Sequence, residues 1–171
     1  MSQDEKRYLP CTNDLGAPMD SIVMQWRKER PDIDPNPMAV CGDVKRAGER
    51  VRQAIVANLA GTGLDIAVFD VLLTLRRQGR GCSLSPSELA GEMMLSTSAM
   101  TSRLDRLEKH KLIKRHVDPK DRRGLKIILT DQGFRLADEL VVSHVDAEKR
   151  LLKSLSDEEC NQLRTLLKKI G

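Results

Sequence analysis

Apolar residues recur at helical spacing over most of this chain and alternate at strand spacing in one short region only. Residues 1–19 show neither period and contain Pro10, Gly16 and Pro18, which predicts a flexible arm. From Asp20, DSIVMQWRKER predicts a short helix that Pro31 ends. The linker PDIDPNP follows, and Pro37 suits a first helical position, opening a long helix to about Leu59. Gly61 and Gly63 break that helix. DIAVFDVLLTLRRQG is then apolar almost all round, with Asp70, Thr74 and Arg77 as a single polar stripe, so this helix should be central.

The pattern changes after Gly79 and Gly81. Ser85-Pro-Ser-Glu88 is a capping box with proline at the first helical position, and its helix carries Leu89, Ala90, Met93 and Met94. LSTS leads into a second helix, Thr97 to His110, which makes a helix-turn-helix. Strand alternation appears only in Ile113–Val117 and Leu125–Thr130, separated by DPKDRRG, and this predicts a β-hairpin with a charged tip. Two more helices follow, one from about Asp131 to Leu152 and one from the capping box Ser156–Glu159 onward. The expected fold is mainly α with a small β-hairpin (α+β): a winged helix-turn-helix with helices added at both ends. A winged helix closes its core without these additions. Their apolar stripes therefore point to a second copy of the chain, or to packing within one chain.

Charge sharpens this picture. The net charge is +4, but residues 101–126 hold ten basic and four acidic side chains, leaving the remainder slightly acidic. A basic segment on an acidic body suits a polyanion, or else is a solvated charged face. Aromatic residues are few (Tyr8, Trp26, Phe69, Phe134) and none lies in the basic segment, which disfavours single strands that need stacking platforms and favours duplex DNA. Wound at 100° per residue, TSAMTSRLDRLEKH puts Met100, Leu104 and Leu107 on one side. Ser98, Ser102, Asp105, Arg106 and Lys109 lie on the other, with Thr101 at the margin. Small hydroxyl residues allow close approach to a groove, and Arg106 and Lys109 suit phosphate or a guanine edge. Lys120, Arg122 and Arg123 at the hairpin tip can reach a phosphate or an adjacent minor groove.

The segment SPSELAGEMMLSTSAMTSRLDRLEKHKLIKRHVDPKDRRGLKIILTDQGF resembles the DNA-binding lobe of the MarR family of bacterial transcription regulators. QWRKERPDID, PMAV and FDVLLTLRR resemble its urate-responsive, PecS-like branch. The resemblance runs from Asp20 to the C-terminus. It implies a homodimer that binds pseudo-palindromic duplex DNA, represses transcription, and releases DNA when a small anionic aromatic effector such as urate or a phenolic acid binds. It divides the chain into an arm (1–19), N-terminal dimerisation and pocket helices (20–63), a DNA-binding lobe (64–130) and C-terminal dimerisation helices (131–171). It also implies effector contacts at Trp26, Asp70, Arg103 and Arg115, with Trp26 stacking, the arginines holding the anion and Asp70 sensing its charge. Read without the resemblance, Trp26 is a packing anchor, Asp70 part of a solvated stripe and Arg115 a phosphate contact. Lys111 departs from the family, standing where glycine is common after the recognition helix, and so does Gly124 beside the wing arginines.

Other classes find little support. The cysteines Cys11, Cys41, Cys82 and Cys160 form no C-x-x-C and read as reduced cytosolic thiols, which makes a cytoplasmic protein the expectation. Cys41, with Lys45 and Arg46 nearby, is the candidate for an alternative thiol-based redox regulator. His110, His116 and His144 show no metal spacing, and there is no phosphate loop or nucleophile elbow, so neither enzyme chemistry nor a cofactor is expected. No apolar run is long enough to span a bilayer.

Overall fold

A computed structural model describes residues 18–118 and 124–171. The described residues divide into two compact units, with the boundary between Arg50 and Val51. This division by contacts cuts the long helix after Arg50, and the reason lies in the side chains: Ile55 and Leu59, in and just beyond its last turn, join the core of the second unit.

The first unit holds α1 (Met19–Glu29) and the start of α2 (Asn36–Asn58). Helix α1 begins one residue before Asp20, with Pro18 at the N-cap and no side-chain cap; Asp20 supplies negative charge to the first turn instead. The linker is fastened by an Arg30–Asp32 ion pair at 2.6 Å and by Arg27 Nη2 donating to Asn36 Oδ1 at 2.9 Å. Proline occupies the second position of α2 rather than the first, because the N–H of Asn36 is taken by Asp34 Oδ1 at 3.0 Å. The two helices meet at Gly42, where a Cβ would come within 2.4 Å of the Met19 side chain.

The second unit is built around α3 (Ile66–Arg77), as its all-round apolar pattern requires: Val68, Phe69, Val71, Leu72 and Leu75 are buried. Thr74, the middle of the polar stripe, is buried as well, whereas Asp70 is exposed and Arg77 pairs with Glu92. Helix α4 (Pro86–Glu92) has the full capping box on Ser85 and Glu88. It ends before the two methionines assigned to it. Met93 is its C-cap, and Met94 leaves at φ 52° with its side chain 95% exposed. Helix α5 (Thr97–Lys109) starts on Ser96, whose hydroxyl accepts from the Ala99 N–H. It ends at Lys111 in the left-handed region, φ 59°, which costs a β-carbon-bearing residue about 1–2 kcal/mol.

Strands β1 (Ile113–Val117) and β2 (Leu125–Leu129) pair antiparallel, Ile113 opposite Leu129 and Val117 opposite Leu125. Asp118 N–H donates to Gly124 O at 2.9 Å and closes the ladder below the tip. Leu84 adds a bridge to Ile127 that local alternation does not reveal. Helix α6 (Asp131–Leu152) then packs Ala137 and Leu140 into the same core, and α7 (Asp157–Leu167) follows with its capping box on Ser156 and Glu159.

The joint between β2 and α6 explains LTDQG. Thr130 N–H donates to Leu112 O at 3.0 Å, its hydroxyl donates to Lys111 O at 2.8 Å, and the same oxygen accepts from Gly133 N–H at 3.0 Å. A Cβ on Gly133 would lie 2.0 Å from Leu112 O, inside contact distance. Gly133→Ala is therefore expected to destabilise the fold by about 3 kcal/mol, the upper range for forced overpacking, and to lower the midpoint of urea unfolding accordingly.

Candidate nucleic-acid interface

Helix α5 is oriented by its buried side. Met100, Leu104 and Leu107 are almost fully buried, packed in the core with α3 and α4 residues. Ser98, Thr101, Ser102, Asp105, Arg106 and Lys109 are consequently exposed along one face, as their spacing predicts. Lys120, Arg122 and Arg123 lie outside the described residues. At the base of the hairpin, Lys126 pairs with Glu88 at 2.9 Å and lies 3.9 Å from Asp118.

Arg106 is engaged by its own chain. Its Nη1 lies 2.6 Å from Asp65 Oδ2. Asp65 is also the N-cap of α3, its Oδ1 accepting from Val68 N–H at 2.9 Å. Partial burial pushes the Asp65 carboxyl up, but Arg106, the Val68 N–H and the nearby charge of Arg103 outweigh it and hold the group below its ordinary range.

Of the residues proposed for an effector, the three in the second unit are only partly brought together. Trp26 belongs to the first unit, where it is 40% exposed beside Gln25 and Glu29. Arg103 Nη1 donates to Ala67 O at 3.3 Å, which sets its guanidinium against the first turn of α3. Desolvation pushes the Asp70 carboxyl above its usual range, and the charges of Arg103 and His144 offset this only in part. Asp70 and Arg103 thus share one electrostatic neighbourhood. Arg115 points elsewhere, to the outer acids of α5: Nη2 is 2.5 Å from Asp105 Oδ1, and Nε is 3.4 Å from Glu108 Oε2. Cys41 and Cys82 are exposed, and Cys160 is partly so.

Residues 64–125 match the MarR family. The chain is 40% identical to the HTH-type transcriptional regulator PecS of Dickeya dadantii (strain 3937) over 152 residues, 89% of this chain and 92% of that protein.

The chain belongs to the MarR family.

Solved MarR-type structures share its winged-helix fold. CouR from Rhodococcus jostii RHA1, bound to p-coumaroyl-CoA, is 30% identical with a TM-score of 0.65, covering 75% of this chain and 88% of CouR. BpsR of Bordetella bronchiseptica, whose DNA binding is regulated by 6-hydroxynicotinic acid, is 26% identical with a TM-score of 0.65, covering 74% of this chain and 88% of BpsR. The protein is thus a MarR-family transcription regulator and a homologue of PecS, not an enzyme. Among the described residues, no helix is long and apolar enough to cross a membrane.

Asp65 as a partner of α5 and Glu88 as a partner of the hairpin are not apparent in the sequence pattern. Each was visible as a helix cap, but its second bond joins residues 41 and 38 positions away. The Ser85 N–H, at 2.6 Å, and then Lys126 bring the Glu88 carboxyl down to about 2. Because its folded value lies below the ordinary 4.5, the stabilisation is present above that value and is lost as pH falls through about 2. Glu88→Gln keeps a capping side chain without the charge. Its melting temperature should lie below that of the wild type near neutral pH and converge with it as pH falls to about 2, as read by circular dichroism.

Proposed function

We propose that this regulator acts as a homodimeric, effector-released repressor. The exposed face of α5, fixed in azimuth by its buried seam, is the observation that carries the reading. That face supplies Ser98, Thr101 and Ser102 for close approach at the helix N-terminus, and Lys109 further along. The wing residues Lys120, Arg122 and Arg123 supply contacts beyond the groove.

Pairing of two chains is supported by apolar surface left over after folding. Val142, Val145, Leu151 and Leu152 on α6, and Leu163, Leu166 and Leu167 on α7, are exposed in the single chain. An apolar surface of this extent on a soluble regulator belongs in an interface, and a two-fold pair spaces two recognition helices about 34 Å apart for successive major grooves.

The effector reading is supported by Arg103 and Asp70, a guanidinium and a carboxyl of raised pKa in one neighbourhood, the latter on the central helix α3. An aromatic acid anion gains from Arg103 and is opposed by an ionised Asp70, so its binding shifts the balance of charge at α3. The ligand of BpsR is an aromatic acid, which supports this class, and that of CouR carries an aromatic acyl group as its thioester. Urate is the proposed member of that class. Cys41 carries the alternative of control by oxidation through its exposed thiol, and no further observation favours it.

Arg123→Ala should weaken binding to specific and non-specific duplexes alike and flatten the log K against log salt slope by about 0.9, measured by fluorescence anisotropy. Urate, p-coumarate or 6-hydroxynicotinate should release wild-type protein from DNA. Arg103→Ala should raise the concentration needed by at least about tenfold, as for loss of a charge-assisted hydrogen bond. Release unchanged in that variant would remove Arg103 from the effector site.

A further inference from the structure

Arg106 presents a conflict that the DNA-binding reading does not resolve. On the helical wheel it lies between the outward line of Ser98, Ser102 and Lys109 and the margin occupied by Arg103. Its guanidinium is committed to Asp65 at 2.6 Å, yet the pair is about half exposed, with side-chain accessibilities of 45% and 52%.

Asp65 cannot travel with Arg106 into a groove. One of its oxygens closes the first turn of α3 through Val68 N–H, and α3 is the core of the second unit. Arg106 therefore has two exclusive states. In one it is neutralised against the body of the protein; in the other it leaves Asp65 and reaches a phosphate. Exposed ion pairs of this kind are worth at most about 1 kcal/mol, so the strong negative potential of a duplex competes with the pair on equal terms.

We propose that Asp65 is a positioning residue for DNA recognition: it withholds Arg106 from the phosphate backbone and so sets the affinity and salt sensitivity of the regulator. The restraint rests on the reading that α5 faces DNA, and it goes beyond that reading by assigning a function to a residue outside the recognition helix and wing. It also makes Arg106 a contact that the free protein holds in reserve.

The test exploits the double role of Asp65. Asn and Ser are both good N-cap residues, so Asp65→Asn and Asp65→Ser keep α3 capped while removing the charge; serine is also too short to reach Arg106. Full-length protein is titrated by anisotropy against two fluorescein-labelled duplexes of equal length, one taken from the DNA upstream of its own gene and one of random sequence, over a range of salt concentrations. Circular dichroism verifies folding. In both variants affinity should rise about fivefold near physiological salt, and the salt slope should steepen by about 0.9, the signature of one added phosphate contact. In an Arg106→Ala background neither substitution should change the slope.

An unchanged slope in the single variants overturns the restraint. So does an equal change in the Arg106→Ala background, which would be a net-charge effect only. Weaker binding overturns it as well, since Asp65 would then be buttressing Arg106 against the DNA. Failure of the wild-type protein to bind either duplex instead removes the DNA-facing reading on which the restraint depends.

Discussion

Everything the recognition helix can do follows from the burial of Met100, Leu104 and Leu107. Fully burying side chains of this size is worth about 1.5–3 kcal/mol each, far more than any single surface contact made by α5. The seam therefore decides which way the helix faces, and the polar residues take the remaining positions. Ser98, Ser102 and Lys109 are outward because nothing polar can displace the three apolar residues from the core.

Around that seam, the chain spends its own acids on its own arginines. Arg115 is held by Asp105 and Glu108, Arg106 by Asp65, Arg76 by Asp138 and Arg77 by Glu92. A basic segment counted from sequence thus overstates the positive charge available to a polyanion. What remains for DNA is set by which acids are anchored. Asp65 is anchored by capping, and Glu88, which holds Lys126, is anchored in the same way. Where a carboxylate is already bound by backbone N–H groups, its partner cation must leave it behind to reach another anion.

The elements were legible because they depend on local rules. The capping boxes at Ser85 and Ser156 and the alternation in β1 and β2 predicted boundaries that the structure matches closely. The limit of legibility shows at the turn after α4: Met94 has the propensity of a helical residue, yet it stands at positive φ in the turn between α4 and α5. The candidate site divides in the same manner. The outer face of α5 is a matter of period, whereas the engagements of Arg106 and Arg115 depend on contacts between elements that no spacing encodes. The match of Lys111 to a left-handed conformation was legible through resemblance alone, since lysine carries no such preference of its own.

The close approach of Gly133 to Leu112 O has a mechanical consequence. Leu112 lies three residues after the end of the recognition helix, and Gly133 is in the first turn of the helix that carries much of the exposed apolar surface. With no side chain to act as a cushion, the two backbones bear directly on each other. A displacement of the first turn of α6 would therefore meet the Leu112 backbone with no side chain between them to absorb it, as through a keyed shaft.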